Sequence, residues 1–366
     1  MSNIDTILVH ICCSVDSHYF LQKLQQEYKF AKLVGFFYDP NIHPYSEYQL
    51  RLLDVKRSCK MLDIELIEGE YDYENWLEVV RGLEDEPEKG KRCSVCFDRR
   101  FEVSAKKAKE IGAKFFTSTL LTSPKKSIKQ LKASGDSLAK ENSIEFLAPD
   151  YRVNSGTQEQ NILAKKDKLY RQNYCGCLYG LIPQREQQNQ ILDELFLPIN
   201  KQLQPNSIDD KLEFYKKRLE IEDKGIEYEI VKQRFLNYRL LRAFVKNKKE
   251  VILSHLLPYS VIRNKFSKGR VEKVINKVAY FNRDEIKFIT LDYYNFLANS
   301  SYGSVLELIL NPPLFKDEVK VREKIVGDSY NLSAIFVLNS IPSEKLEIYL
   351  DAKVYEDVKE QLIEVK

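Results

Sequence analysis

Six of the seven cysteines in this chain of 366 residues fall into three close pairs. The pairs are Cys12-Cys13, Cys93-x-x-Cys96 and Cys175-x-Cys177. Thiolates bind iron–sulfur clusters and zinc, and several of them must converge because each metal ion is tetrahedral. The three pairs therefore predict a metal or redox site, provided that the fold brings them together.

Local backbone geometry allows the two sulfurs of each pair to point the same way. The cysteines of the second pair are three residues apart at a predicted helix start, where the helix dipole favours the thiolate. Gly176 lets the chain turn tightly between the cysteines of the third pair. Adjacent residues of a strand face opposite sides, so the first pair can converge only beyond the end of a strand.

Other interpretations explain only part of this pattern. Buried, inert thiols account for one pair more easily than for three at short spacing. A structural zinc site needs four ligands and leaves two cysteines over. A redox dithiol explains Cys93 and Cys96 alone. Cys59 has no partner near it in sequence, so we interpret it as an incidental thiol.

Asp16 follows the first pair by three residues, just before a predicted helix. An acidic residue at a helix N-terminus is common and stabilising. The same position also suits an oxygen ligand or a proton relay beside a metal. The spacing favours neither interpretation.

The composition is ordinary for a soluble globular protein, with 43% hydrophobic and 30% charged residues. The net charge of +3 permits a local nucleic-acid patch without arguing for one. No stretch is apolar for long enough to span a membrane, and the N-terminus resembles a strand more than a cleavable leader. We therefore expect a cytoplasmic protein with no membrane partner, in which the thiols stay reduced.

The first half of the chain alternates short apolar strands with segments of helical periodicity. Strands are predicted at residues 6–10, 33–38, 65–67, 115–120 and 145–148. This alternation predicts an α/β fold, a parallel sheet with helices on both faces. Ligands of such sheets bind beyond the carboxyl ends of the strands, and the first cysteine pair lies at such an end.

Composition divides the chain into two predicted domains and a linker. Residues 1–185 carry all the cysteines, and residues 186–207 are rich in Gln, Asn and Pro and are predicted to be the linker. Residues 208–366 have aromatic and β-branched stretches and are predicted to form a C-terminal mixed α/β domain.

Five segments in the first half carry a family resemblance. They are HICCSVD (10–16), FYDPNIHPYSEY (37–48), KRCSVCFDRR (91–100), FFTSTLLTSPKK (115–126) and LYRQNYCGC (169–177). Together, in this order, they resemble the non-cobalamin epoxyqueuosine reductases of the QueH type, over about residues 6–181. Where members read Ala-Pro after the double cysteine, this chain has Ser14-Val15. The C-terminal domain is an extension about which the resemblance says nothing.

The resemblance implies an adenine-nucleotide-hydrolase-like (HUP) scaffold and a [4Fe–4S] cluster with an adjacent mononuclear iron, or zinc in its place. Its implied ligands are Cys12, Cys13, Asp16, Cys93, Cys96, Cys175 and Cys177. The implied reaction removes the epoxide oxygen of epoxyqueuosine at the wobble position of tRNA, giving queuosine, and Asp16 would hold the open metal or pass protons. The sequence has no dinucleotide fingerprint, so we expect an external electron donor.

An unstacked base is held by aromatic faces and side-chain hydrogen bonds. We expect Tyr38 and Tyr45, and through the resemblance also His43, to contact the substrate base, and Arg92 and Arg171 to contact phosphates. The basic stretches 242–249 and 265–273 of the C-terminal domain are further candidates for tRNA contact.

Two alternatives remain open at this point. One is a non-enzymatic tRNA-binding protein with a structural zinc site. The other is an ATP-dependent tRNA-modifying enzyme of the PP-loop type, whose signature Ser-Gly-Gly-x-Asp-Ser corresponds to residues 12–17 here. Cysteines carry a Cβ and lack the freedom of glycines to close around phosphate, so we expect a shared scaffold without ATP binding.

Overall fold

The computed structural model describes residues 5–123, 126–328 and 331–365, so Pro124 and Lys125 of the fourth motif lie outside the described residues. The chain forms two compact units, Met1–Leu195 with Lys211–Gly225, and Phe196–Asp210 with Ile226–Lys366. Residues 211–225 group with the first unit, where Leu212 and Tyr215 pack against Leu50. The functional division at residues 186–207 stays a prediction.

The first unit contains a five-stranded parallel sheet in the order β3-β2-β1-β4-β5. Its strands are β1 Thr6–Ile11, β2 Lys32–Phe37, β3 Glu65–Glu68, β4 Phe115–Ser118 and β5 Glu145–Phe146. The central strands read as apolar runs because helices flank the sheet and both faces are buried. The predicted α/β sheet is thus confirmed, and its strand order reverses beside β1, where such folds bind ligands.

Helices connect the strands of this sheet and supply the rest of its core. They are α1 Ser14–Glu27, α2 Tyr45–Met61, α3 Tyr73–Val79, α4 Lys91–Glu110, α5 Ile128–Asn142, α6 Gly156–Lys166 and α7 Leu178–Gln187. Single 3₁₀ turns cover Thr119–Thr122 and Asp193–Leu195, and α8 is Ile208–Asp223. The core includes Phe20 of α1 and Phe101 of α4, which are fully buried against the sheet.

The second unit contains two further sheets. One has the order β10-β11-β12-β13-β8, with β12 and β13 parallel and the other pairs antiparallel, and the second has the order β7-β6-β14-β9. The strands are β6 Tyr228–Asn247, β7 Glu250–Ile252, β8 His255–Leu256, β9 Phe266–Gly269, β10 Val271–Ile275, β11 Val278–Phe281, β12 Lys287–Thr290, β13 Ile335–Leu338 and β14 Leu346–Glu364. The helices are α9 Leu291–Ala298, α10 Val305–Leu310 and α11 Phe315–Val326. The predicted mixed α/β character is therefore confirmed.

Among the helices that the structure describes, none has the length and apolar composition needed to cross a membrane.

Candidate metal centre

The first cysteine pair lies directly after β1, at the carboxyl edge of the sheet. Because the strand has ended, the Sγ atoms of Cys12 and Cys13 converge to 3.8 Å. Asp16, in the first turn of α1, places its Oδ2 atom 3.9 Å from the sulfur of Cys12. The ligand atoms of these three residues lie within 4.8 Å of one another, which makes them a candidate metal-binding group.

Neighbouring side chains orient this group. Gln160 of α6 donates from Nε2 to Oδ1 of Asp16 at 2.7 Å, which leaves Oδ2 turned toward Cys12. Burial raises the pKa of Asp16, and the hydrogen bond from Gln160 opposes that shift. The hydroxyl oxygen of Thr119, in the turn after β4, lies 3.6 Å from the Cys12 sulfur.

The second pair occupies the start of α4, close to the predicted position. The backbone N–H of Lys89 donates to the sulfur of Cys93 at 3.2 Å. Cys96 is buried one turn further on, and burial raises the pKa of its thiol while the Arg100 guanidinium lowers it. Both sulfurs therefore have neighbours, an N–H group and a cation, that stabilise a thiolate.

The third pair sits on a tight turn that α2 holds in place. Gly176 has a φ of +101°, a conformation that favours glycine. Arg51 of α2 donates to the carbonyl oxygens of Cys175 at 3.2 Å and Tyr174 at 3.1 Å. A hydrogen bond from the Cys177 thiol lowers the pKa of Cys175 and raises that of Cys177.

One cavity of about 260 Å³ brings the three pairs together. Five of the six paired cysteines line it with Asp16, and Cys13 lies just behind its neighbour Cys12. The basic residues of the wall are Arg51, Arg92, Arg100, Lys126 and Arg171. Thiolate-bound clusters carry negative charge, so a wall rich in cations suits them.

The walls also contain polar atoms that the described residues leave without a hydrogen-bond partner. Buried atoms of this kind belong to several lining residues, among them Asn41 (Oδ1), Arg92 (Nε), Arg100 (Nε) and Gln172 (Oε1). Buried polar atoms are seldom unpaired in proteins, and unpaired ones often mark a site for an ion or ligand. Together with the thiol donors, they fit an iron–sulfur group.

The structure separates the predicted substrate residues into two sets. Arg92 and Arg171 line the cavity, whereas Tyr38, His43 and Tyr45 are not among its lining residues. Arg92 already donates to three loop carbonyls, at 3.1, 2.8 and 2.5 Å, and Arg171 donates to Asn161 at 2.7 Å.

The three aromatic candidates have other surroundings. Tyr38 is buried and donates to Asp72 at 3.1 Å. The ring of His43 stacks on Tyr73 with centroids 4.9 Å apart, and Tyr45 is 51% exposed. Substrate contact by these residues stays a prediction.

Cys59 belongs to α2, is buried in the core and is not among the residues that line the cavity. It is 1% exposed, and burial raises the pKa of its thiol to about 12. Sequence reasoning missed Arg51, Gln160 and Trp76, none of which belongs to a pattern that could have pointed to the site.

Comparison with known proteins assigns the family. A family model described as "Epoxyqueuosine reductase QueH" matches residues 7–182. Across nearly its whole length, the chain is 39% identical to the epoxyqueuosine reductase QueH of Helicobacter pylori, covering 96% of this chain and 98% of the relative. The chain belongs to the QueH family. The predicted resemblance is thereby confirmed.

Other QueH relatives match about half of the chain. The epoxyqueuosine reductase QueH of Acinetobacter baylyi is 38% identical over 180 residues, covering 49% of this chain and 82% of the relative. Among solved structures, the U34-tRNA thiolase NcsA from Methanococcus maripaludis with its [4Fe-4S] cluster is 16% identical at a TM-score of 0.36, covering 60% of this chain and 74% of the thiolase. A predicted subunit of a tRNA methyltransferase from Methanocaldococcus jannaschii is 13% identical at a TM-score of 0.34, covering 52% of this chain and 92% of that subunit.

Proposed function

We propose that this QueH-family chain reduces epoxyqueuosine in tRNA to queuosine, in the cytoplasm, at the cavity that joins the three cysteine pairs. The convergence of five paired cysteines and Asp16 on that one cavity carries the proposal. A structural zinc site would use four thiols and needs no open cavity. The first segment also supports reductive chemistry over ATP binding, because Cys13 and Ser14, which carry a Cβ, stand where a phosphate loop has its two glycines.

The thiols and Asp16 would hold a [4Fe–4S] cluster and an adjacent mononuclear iron, or zinc in its place. When bound, these metals would supply single electrons and an electrophile for the epoxide oxygen. Opening the epoxide to an alkene consumes two electrons and two protons and releases water. We propose that an external donor provides the electrons.

The protein's own residues would hold the reacting groups. Asp16 has one carboxylate oxygen fixed by Gln160, and its other oxygen faces Cys12, so the carboxylate is oriented for a metal or a proton. Lys126 and Arg171 bring positive charge to the cavity wall, where they would attract the phosphates beside the modified base. The apolar wall residues Val15 and Phe97 would limit water around the site.

The test is the iron, zinc and acid-labile sulfide content of protein purified without oxygen, together with its absorption spectrum. We expect iron and sulfide that are lost in Cys93→Ala and in Cys175→Ala. Cys59→Ala is the matched control, because it removes a buried thiol outside the cavity. Turnover is then measured on tRNA carrying epoxyqueuosine, with dithionite as the electron source. Zinc without sulfide after reconstitution would favour the zinc-containing tRNA-binding protein.

A further inference from the structure

An aromatic row crosses the outward face of the sheet β7-β6-β14-β9 in the second unit. Phe244 of β6 is paired with Tyr349 of β14, which is paired with Phe266 of β9. The rings of Phe244 and Tyr349 stack with centroids 5.3 Å apart at 11°, and Phe266 is 50% exposed. The neighbours Val245 and Ile348 are buried on the opposite face, as strand alternation requires. We call these three rings the aromatic row.

Basic side chains border the aromatic row. The Arg242 guanidinium lies 5.4 Å from the centroid of Phe244 and 5.7 Å from that of Tyr349. The Lys246 ammonium lies 4.7 Å from the centroid of Phe244. Within the part of the chain that the structure describes, no carboxylate forms an ion pair with either cation.

The remaining charges of this face are paired with each other. Lys268 contacts Glu347 at 2.5 Å, and Lys265 contacts Asp351 at 2.7 Å. Asp351 and Glu347 also lie opposite Arg242 and Lys246 in the strand pairing, so these two acidic groups are shared among four cations and the face keeps an excess of positive charge. Residues 242–247 of the first basic stretch and 266–269 of the second lie on this one sheet, on either side of β14.

We propose that the aromatic row and its cations bind unpaired nucleotides of the tRNA substrate. Bases without a stacking partner pack on aromatic side chains and on arginine planes, while nearby cations contact phosphates. Cross-strand aromatic pairs also stabilise sheets, but that role requires neither a third exposed ring nor an excess of cations beside the rings. The positive charge favours RNA over an acidic or neutral peptide.

This inference rests on the proposed function for the identity of the RNA, and it adds affinity rather than chemistry. The QueH family model matches residues 7–182, so the aromatic row lies outside the region that this model describes. Loss of the row should therefore weaken tRNA binding and leave turnover at saturating tRNA unchanged.

The experiment measures the affinity of the full-length protein for an unmodified tRNA transcript by fluorescence anisotropy, at several salt concentrations. Phe244→Ala and Tyr349→Ala should each weaken binding about ten-fold through lost stacking. Arg242→Gln should reduce the dependence of log Kd on log salt by about 0.7, the value of one phosphate contact to a single strand. Phe244→Tyr keeps a ring and should bind normally.

Phe296→Ala is the matched control, because Phe296 of α9 is 74% exposed and also lies near a lysine, Lys277, but belongs to another element. It should bind as the parent does. The proposal is overturned if Phe244→Ala and Arg242→Gln bind like Phe296→Ala, or if a duplex RNA competes as well as a single strand. The binding measurement requires no turnover. A protein without reductase activity could therefore still confirm the aromatic row as an RNA-binding surface, and a reductase whose variants bind tRNA normally would refute only the role of the row.

Discussion

Replacing Arg51 by methionine removes the charge that ties the third cysteine pair to α2. Arg51 is 2% exposed and donates from Nε to Glu47 at 2.7 Å, and its other nitrogens donate to the carbonyls of Tyr174 and Cys175. In Arg51→Met, Glu47 stays fully buried and keeps the hydrogen bond from the Tyr170 hydroxyl, at 2.8 Å. The variant therefore creates a buried carboxylate without its cation.

The size of the effect follows from that unpaired charge. Breaking a buried ion pair by removing one partner costs about 3–5 kcal/mol of unfolding free energy. In a unit of this size, each kcal/mol lowers the melting temperature by about 2–4 °C, so the first unit should melt roughly 6–20 °C lower. The iron content should also fall, because the carbonyls of Tyr174 and Cys175, which orient the turn, lose the hydrogen bonds from Arg51.

Calorimetry of Arg51→Met and of the double variant Arg51→Met/Glu47→Gln provides the assay. The double variant should recover part of the lost melting temperature, because it replaces the unpaired Glu47 carboxylate by a neutral amide. Its iron content should stay low, because the hydrogen bonds from Arg51 are still missing. Lys60→Met is the matched control, because Lys60 is an 84% exposed residue of α2 whose ion pair contributes about 0–1 kcal/mol. A melting temperature of Arg51→Met equal to that of Lys60→Met, or no gain in the double variant, would refute the reasoning.

Two further predictions concern the thiols. Cys59 should resist alkylation by maleimide at pH 8 in the native protein, because its pKa of about 12 and its burial keep the thiol protonated and inaccessible; rapid labelling found by mass spectrometry would contradict this. Removal of metal with a chelator should lower the melting temperature of the parent, because a ligand that binds only the folded state stabilises it. The same treatment should leave the melting temperature of Cys93→Ala unchanged, and an equal fall in both proteins would show that the chelator acts elsewhere.

Much of the fold was predictable from local pattern. Strands buried on both faces, such as 7–11 and 33–37, read as apolar runs, and their alternation with helical periodicity is enough to predict a parallel sheet. The metal or redox role of the cysteine pairs could also be predicted locally, because several thiols at short spacing are typical of such sites. Their placement after a strand, at a helix start and around Gly176 is a local property that the structure confirms.

The orientation of side chains around the site depended on contacts between distant segments. Tyr38 follows β2 just as Cys12 follows β1, yet Tyr38 is buried against Asp72 while Cys12 faces the cavity. Nothing in the sequence near Tyr38 distinguishes these outcomes, because packing against residues more than thirty positions away decides them.

The same reason explains the residues that sequence reasoning missed. Arg51 and Gln160 act on groups more than a hundred residues away, and neither lies in a recognisable pattern. The aromatic row likewise arises only when β14 brings Tyr349 between β6 and β9, both of which are distant from it in sequence. Residue types and spacing therefore determined which chemistry this protein can perform. The tertiary structure decided which side chains surround that chemistry, because long-range packing fixes the direction in which each one points.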